Sequence, residues 1–376
     1  MQRILLGSTA LVAVGAIAGT AVGDDGIKLE LSGHYMGAAG AVFGEDFSAS
    51  SGVHGRDLRN AVFKQDVEVH FSGETTLNNG LTVSAAIEME GQTVSEDQID
   101  KVYAYFKGGF GEVRFGDLEE AYAQFCNLVP SASDLFGADS PNFNFSNAGI
   151  AGYAATNGTC YGLDDNSTKV VYFTPQFGGF QFAASFTPDN SEDTRNTLSG
   201  AGTRLKSDAD QNSENLSVAA TFQHDFNDVK LVAGGGVTQS LCKEFNPNNV
   251  DRARSYNAYA QVTYADFTIG VASERRHDFG TANADQWVYG AGVTYEWDDW
   301  SVGFGWTRGD YEKVVGANGV GPFNADHDIF SLTASHDLVD GVSIDGVIEY
   351  SDYRSRDAAG PDYQGIAAGL GVDIGF

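Results

Sequence analysis

The 376-residue chain carries seven histidines and three cysteines, the side chains from which metal and nucleophile chemistry is most often built. Their spacing supports neither. His34, His54, His70, His224, His277, His327 and His336 are scattered, with no His-x-x-x-His and no Cys-x-x-Cys, so nothing resembles a zinc site. His34-Tyr35 or Ser335-His336 would be raw material for a hydrolase at a rim, but Ser and His on a wet surface need no such role. Gly234-Gly235-Gly236 opens no helix and so makes no phosphate cradle; small residues in a curved strand explain it better. The chain is not expected to be an enzyme, and no cofactor is required. Acid pairs such as Asp164-Asp165 and Asp298-Asp299 offer the oxygen ligands that suit Ca²⁺, although no EF-hand spacing singles out a ligand set. With 22 Lys+Arg against 51 Asp+Glu the net charge is −29, which excludes favourable binding to nucleic acid phosphates.

The elements that position these groups begin with an export signal. Met1 to Gly23 starts with one cation, Arg3, runs through the apolar Ile4 to Ala18 and ends in small residues at Ala21-Val22-Gly23. Residues 1–23 are therefore expected to be a cleaved signal peptide and 24–376 a single domain. No other apolar stretch is long enough to span a bilayer as a helix. Export implies an oxidising compartment. Cys126 and Cys160 lie 34 positions apart in one long segment and are the expected bridge, with Cys242 left free; the alternative is three unbridged thiols. Closing such a loop is worth about 3–4 kcal/mol in a chain-entropy account.

From Ile27 onward the chain repeats one pattern, segments of about ten residues with apolar side chains at every second position. Val67, Val69 and Phe71 alternate with Asp66, Glu68, His70 and Ser72; Leu81, Val83, Ala85, Ile87 and Met89 alternate with Thr82, Ser84, Glu88 and Glu90. Since i and i+2 share a sheet face, each segment has one greasy face and one wet face. Sixteen strands follow, near 27–39, 61–76, 81–90, 98–107, 110–117, 167–175, 180–188, 214–225, 229–239, 253–264, 267–276, 285–297, 300–309, 327–336, 342–354 and 363–376. In the fourth, Tyr103 and Tyr105 compete with Val102, Ala104 and Phe106 for the apolar face.

The connections alternate between short and long. Short ones carry turn chemistry, as in Asn78-Asn79-Gly80, Gly178-Gly179, Asn227-Asp228 and Asp340-Gly341. Long ones run near 40–60, 118–166, 189–213, 240–252, 310–326 and 355–362. Strict segregation of loop length is the signature of a transmembrane antiparallel β-barrel. A ring of about sixteen strands is too wide for side chains to fill, so the wet faces line an aqueous lumen and the greasy ones meet lipid. Tyr264, Trp287, Trp297, Trp300, Trp306 and Tyr350, at strand ends, are expected to form interfacial girdles.

The last strand alternates back from Phe376 through Ile374, Val372, Leu370, Ala368 and Ile366. An apolar-alternating final strand closing on an aromatic residue resembles the recognition signal of bacterial outer-membrane barrels for their assembly machinery. Taken with Asp24-Asp25-Gly26-Ile27-Lys28-Leu29, with Gly109-Phe110-Gly111-Glu112-Val113-Arg114-Phe115-Gly116-Asp117, with Gly137-Ala138-Asp139-Ser140-Pro141-Asn142 and with Tyr172-Phe173-Thr174-Pro175-Gln176-Phe177-Gly178-Gly179-Phe180, the chain resembles the Gram-negative general porins of sixteen-stranded, trimeric type, in particular their alphaproteobacterial branch. The resemblance implies a homotrimer in the outer membrane, in contact with lipid and lipopolysaccharide, that passes small hydrophilic solutes and ions.

It also implies a third external loop that folds into the lumen, its acids facing basic residues on the wall. Residues 118–166 hold Glu119, Glu120, Asp134, Asp139, Asp164 and Asp165 and no Lys or Arg. A connection of that length is usually functional. Glu119, Glu120, Asp134 and Asp139 are the candidate acidic side. Parity puts Arg114 with Glu112, and Lys64 with Asp66, on wet faces, and Lys101 inward from the fourth strand; Arg59, with Arg56, ends the first long loop. No strand shows a dense arginine cluster, so the lumen is expected to be negative and cation-preferring. The alternative is a substrate-specific channel with Tyr122, Phe125, Phe136, Phe143 and Phe145 of the loop forming a solute site.

Overall fold

The computed structural model describes residues 26–47, 59–91, 99–146, 157–164, 166–189, 213–241, 253–277, 284–314, 323–357 and 362–376. The expected signal peptide, His54, Arg56, Asp165 and Cys242 lie outside them. The strands are β1 Lys28–Phe47, β2 Ala61–Thr76, β3 Thr82–Glu90, β4 Ile99–Gly108, β5 Gly111–Asp117, β6 Thr168–Phe173, β7 Phe180–Asp189, β8 Ser213–Phe226, β9 Val229–Ser240, β10 Arg254–Tyr264, β11 Phe267–His277, β12 Asp285–Trp297, β13 Trp300–Val314, β14 Phe323–Val339, β15 Val342–Ser355 and β16 Tyr363–Gly375. One short helix, α1 Ala121–Gln124, follows β5.

Each strand pairs antiparallel with its sequence neighbours, and β1 pairs with β16, so the sheet is a closed sixteen-stranded barrel. At the seam the Phe376 amide donates to Gly33 O (3.0 Å) and the Gly33 amide to Phe376 O (2.8 Å), carrying the ladder to the last residue. The start of β1 and the end of β16 share an end with the short turns. The turns take left-handed backbone at Gly80, Gly178, Gly179, Asn227 and Gly341, where the right-handed twist of paired strands demands it.

The period-two pattern sorts onto two surfaces. On β8, Leu216 and Val218 are exposed while Asn215 and Ser217 are buried; on β11, Ile269 and Val271 are exposed while Glu274 and Arg276 are buried. The greasy set faces outward. Exposed Phe267, Trp297 and Trp300 form an aromatic row with half-buried Tyr295 at the turn end, and Trp287 sits at the loop end. On β13 the outward face changes from Phe304 and Trp306 to Arg308 and Asp310, with Arg308 bonded to Asp326 (3.0 Å) and Asp328 (2.6 Å) and Arg356 to Asp310 (2.6 Å). Hydrocarbon must end below these ion pairs.

Three strands extend beyond the alternation. β13 and β14 continue as a ladder into polar residues, and β1 continues through Ala38, Gly40 and Val42, small inward positions that carry no period-two contrast. In β4 the ambiguity resolves with Tyr103 and Tyr105 inward and Val102 and Phe106 outward, after a register shift between Glu88 and Met89.

A charge placed on the outer face at mid-strand should be costly in a depth-dependent way. Val271→Arg, between Ala260 and Ala291, is expected to lower unfolding free energy in lipid vesicles by about 2–4 kcal/mol, whereas Thr263→Arg, facing the lumen, should cost far less. Urea titration of tryptophan fluorescence measures both.

Candidate functional site

A barrel interior lined by polar side chains offers hydrogen-bond partners to any chain entering it, and residues 118–146 and 157–164 use them strand by strand. The Ala121 amide donates to Ser185 Oγ on β7 (3.0 Å) and the Tyr122 amide to Ser217 Oγ on β8 (2.8 Å). Thr238 Oγ1 on β9 donates to Glu120 Oε2 (2.6 Å), and Tyr122 Oη meets Ser255 on β10 and donates to Glu274 on β11 (2.9 Å each). Gln261 on β10 holds Leu128 O, Thr307 on β13 holds Ala138 O, and the Ala132 amide reaches Thr333 on β14. Leu135, Phe136, Phe143 and Phe145 then pack on Ala38, Val42, Val347 and Ala367. A segment leaving β5 reaches β14 and β1 on their wet faces only by crossing the interior.

Close approach of the loop to the wall also depends on missing side chains. A Cβ on Gly40 or on Gly369 would stand 2.3 or 2.4 Å from the Phe145 ring, so these two glycines form the slot the ring occupies. Cys126 and Cys160 are bonded to one another, tying the outgoing and returning arms of the loop. Asp139 adds a second tie, accepting from the Val129 amide, the Thr159 amide and Thr159 Oγ1 at 2.9, 2.9 and 2.6 Å.

The four candidate acids therefore divide. Glu120 and Asp139 are buried and hold the loop, so they do not line water. Burial, with Asp164 nearby, pushes the Glu120 carboxyl up to about 8, and burial pushes Asp139 up to about 6 against its three donors. Glu119 is half-buried, 3.8 Å from Lys101, and Asp134 is exposed within electrostatic reach of Asp373 on β16. Asp164, one of the acids considered for Ca²⁺, is instead buried against Lys169 (3.0 Å) and Thr187, while Asp298 and Asp299 lie in a short turn.

The basic candidates divide as well. Lys64 donates to Asn144 O and lies over Phe145. Arg114 binds Glu112 (2.6 Å) and Gln124 (2.8 Å), its guanidinium 4.8 Å from the Phe173 ring centroid. Lys101 pairs with Glu88 (3.0 Å), Asp100 (3.5 Å) and Glu119. All three touch the loop or its acids; Arg59 is exposed just ahead of β2. Of the loop aromatics, Tyr122, Phe136, Phe143 and Phe145 are buried and Phe125 packs on Phe173, so they anchor the loop.

What the described part of the loop leaves uncovered is much of the inner face of β2–β4 with the end of β16. Asp66, Glu68 and Glu90 gather their carboxylates within 4.8 Å, as do Glu68, Glu88 and Asp100. These acids were visible as wet-face positions, but as a cluster only strand register assembles them: Glu68 opposes Glu90, and His70 opposes Glu88. Glu274 and Arg276, bonded at 2.9 Å beneath the loop, were missed; inward parity on β11 is the signal that marks them.

A closed barrel with an apolar outer wall, a polar interior and a loop crossing that interior defines a transmembrane channel of the outer-membrane type. Residues 7–356 match the family model for Gram-negative porins, and the chain belongs to that family. It is 26% identical over 325 residues to a monosaccharide porin from a Halomonas species, covering 84% of this chain and 80% of that one. The same figures hold for a major outer membrane protein of Halomonas elongata. Among solved structures, the outer membrane channel DcaP of Acinetobacter baumannii superposes with a TM-score of 0.59 at 12% identity, over 93% of this chain and 98% of that one. The protein is accordingly an outer-membrane porin of a Gram-negative bacterium, a passive channel and not an enzyme.

Glu120 links loop anchorage to pH. Its folded carboxyl titrates at about 8, above the ordinary glutamate value near 4.3, so the folded state holds the proton more tightly. Stability contributed by neutral Glu120 is full below about 4.3 and is lost as pH rises through about 8. Glu120→Gln is expected to remove this component; unfolding midpoints in vesicles between pH 4.5 and 9 check it.

Proposed function

We propose that the porin passes small hydrophilic solutes and ions by diffusion with a preference for cations. The observation that carries this reading is the acidity of the uncovered wall, where Asp66, Glu68, Glu90, Asp100 and Asp373 stand on inward faces, Asp134 lies within electrostatic reach of Asp373, and Lys101 is engaged by three carboxylates. Carboxylates lining a low-dielectric cleft raise the local concentration of cations and depress that of anions. The family is generally trimeric, and we extend that assembly to this chain. Its C-terminal Phe376, with Ile374 and Val372, would serve as the signal for the barrel assembly machinery.

The name of the Halomonas relative raises a solute-specific reading. Burial of Tyr122, Phe136, Phe143 and Phe145 against the wall counts against a sugar platform built from them. A purely diffusive channel conducts in proportion to salt and is not blocked by one sugar.

Reversal potentials in planar bilayers under a KCl gradient are expected to show K⁺ preferred over Cl⁻. Neutralising Glu90 and Asp373 together, as Gln and Asn, should lower the permeability ratio at least about twofold. Preference for Cl⁻ or saturable block by glucose would overturn the diffusive, cation-preferring reading.

A further inference from the structure

We infer that the lumen wall carries a binding site for a divalent transition-metal ion, formed by His34, Glu68 and His70. His34 on β1 stands directly opposite Glu68 on β2, and His70 follows two residues along the same inner face. One ring nitrogen from each imidazole and one carboxylate oxygen converge within 4.8 Å of one another. His70 Nε2 already lies 2.8 Å from Glu68 Oε2, and the two imidazole centroids are 6.2 Å apart, edge to face.

Two imidazoles with a carboxylate are the donor set of borderline divalent ions such as Zn²⁺ and Cu²⁺, whereas Ca²⁺ and Mg²⁺ take oxygen almost exclusively. Donors on a tetrahedral ion stand about 3.3 Å apart, so small side-chain rotations complete the set, and the Glu68–His70 hydrogen bond is exchanged for coordination. Asp66 Oδ2 lies 3.7 Å from His34 Nε2, at the edge of the cluster.

A second observation points the same way. His34 Nε2 is closed off from water and makes no hydrogen bond, standing 3.7 Å from the Asp66 carboxylate. Such an atom is costly unless it finds a partner. The side chains of His34 and His70 nevertheless keep 21% and 33% of their exposure, so the rotations that complete the donor set also turn His34 toward the lumen. His34 pairs with Gly375, which sets the site at the turn end of the barrel, away from the latches of the crossing loop.

The test uses full-length protein in detergent, stripped with EDTA and titrated with ZnCl₂ by calorimetry, with single-channel current recorded in parallel. One Zn²⁺ per chain is expected to bind saturably and to lower K⁺ current as it binds. His34→Asn and His70→Asn should each weaken binding roughly tenfold or more, since even outer-shell losses at metal sites cost that much. Barrel mobility on unheated gels verifies folding, and Glu68→Gln, which keeps a hydrogen bond to His70, provides a second variant with the same expected loss. Absence of saturable binding, equal affinity in the folded variants, or equal competition by Ca²⁺ would overturn the site. Zinc binding is read without conductance, so a failed channel reading and a failed metal site give different results.

Discussion

Hydrocarbon offers no partner to a backbone amide, and this one constraint governs the rest of the molecule. Every strand must pair on both edges, so the sheet closes between β1 and β16, and the seam runs as far as the Gly33–Phe376 pair. Closure by sixteen strands makes a ring too wide to fill with its own side chains. The greasy half of each strand is then assigned to lipid and the wet half to an interior that must be hydrated or occupied.

The crossing loop solves the occupation of that interior with hydroxyls. Ser185, Ser217, Thr238 and Ser255 stand inward on four successive strands, and each meets the arm around α1. Buried carboxylates reinforce the arrangement: Glu120 and Asp139 accept from loop amides and hydroxyls, and Glu274 accepts from Tyr122, Ser255, the Tyr161 amide and Arg276. An unmet donor or acceptor beneath the loop would cost more than any single contact contributes, so the network holds as a whole.

Charge in the lumen follows from where the loop lies. The described part of it is seated from β7 round to β1, and Asp66, Glu68 and Glu90 on β2 and β3 keep part of their exposure. Cations that might have offset them are engaged elsewhere: Lys64 and Arg114 with the loop, Lys101 with three carboxylates. The transverse arrangement of acidic loop against basic wall is therefore largely replaced by acids on the wall itself. Among the described residues, Asp134 is the exposed loop acid.

The sequence by itself determined the strand count, the face of nearly every side chain and the sorting of short turns from long loops, because period-two alternation and turn chemistry are local and repeat along the chain. Val67, Val69 and Phe71 against Asp66, Glu68 and His70 is legible in a single strand. Tertiary structure alone decided what those wet faces meet. Glu119, Glu120, Asp134 and Asp139 are alike as letters in one loop, yet Glu120 and Asp139 are buried latches while Glu119 is half-buried beside Lys101 and Asp134 is exposed, because burial depends on strands over a hundred residues away such as Thr238 and Glu274. Likewise His34, Glu68 and His70 become one cluster only through the register of β1 on β2, a long-range quantity that no local pattern contains.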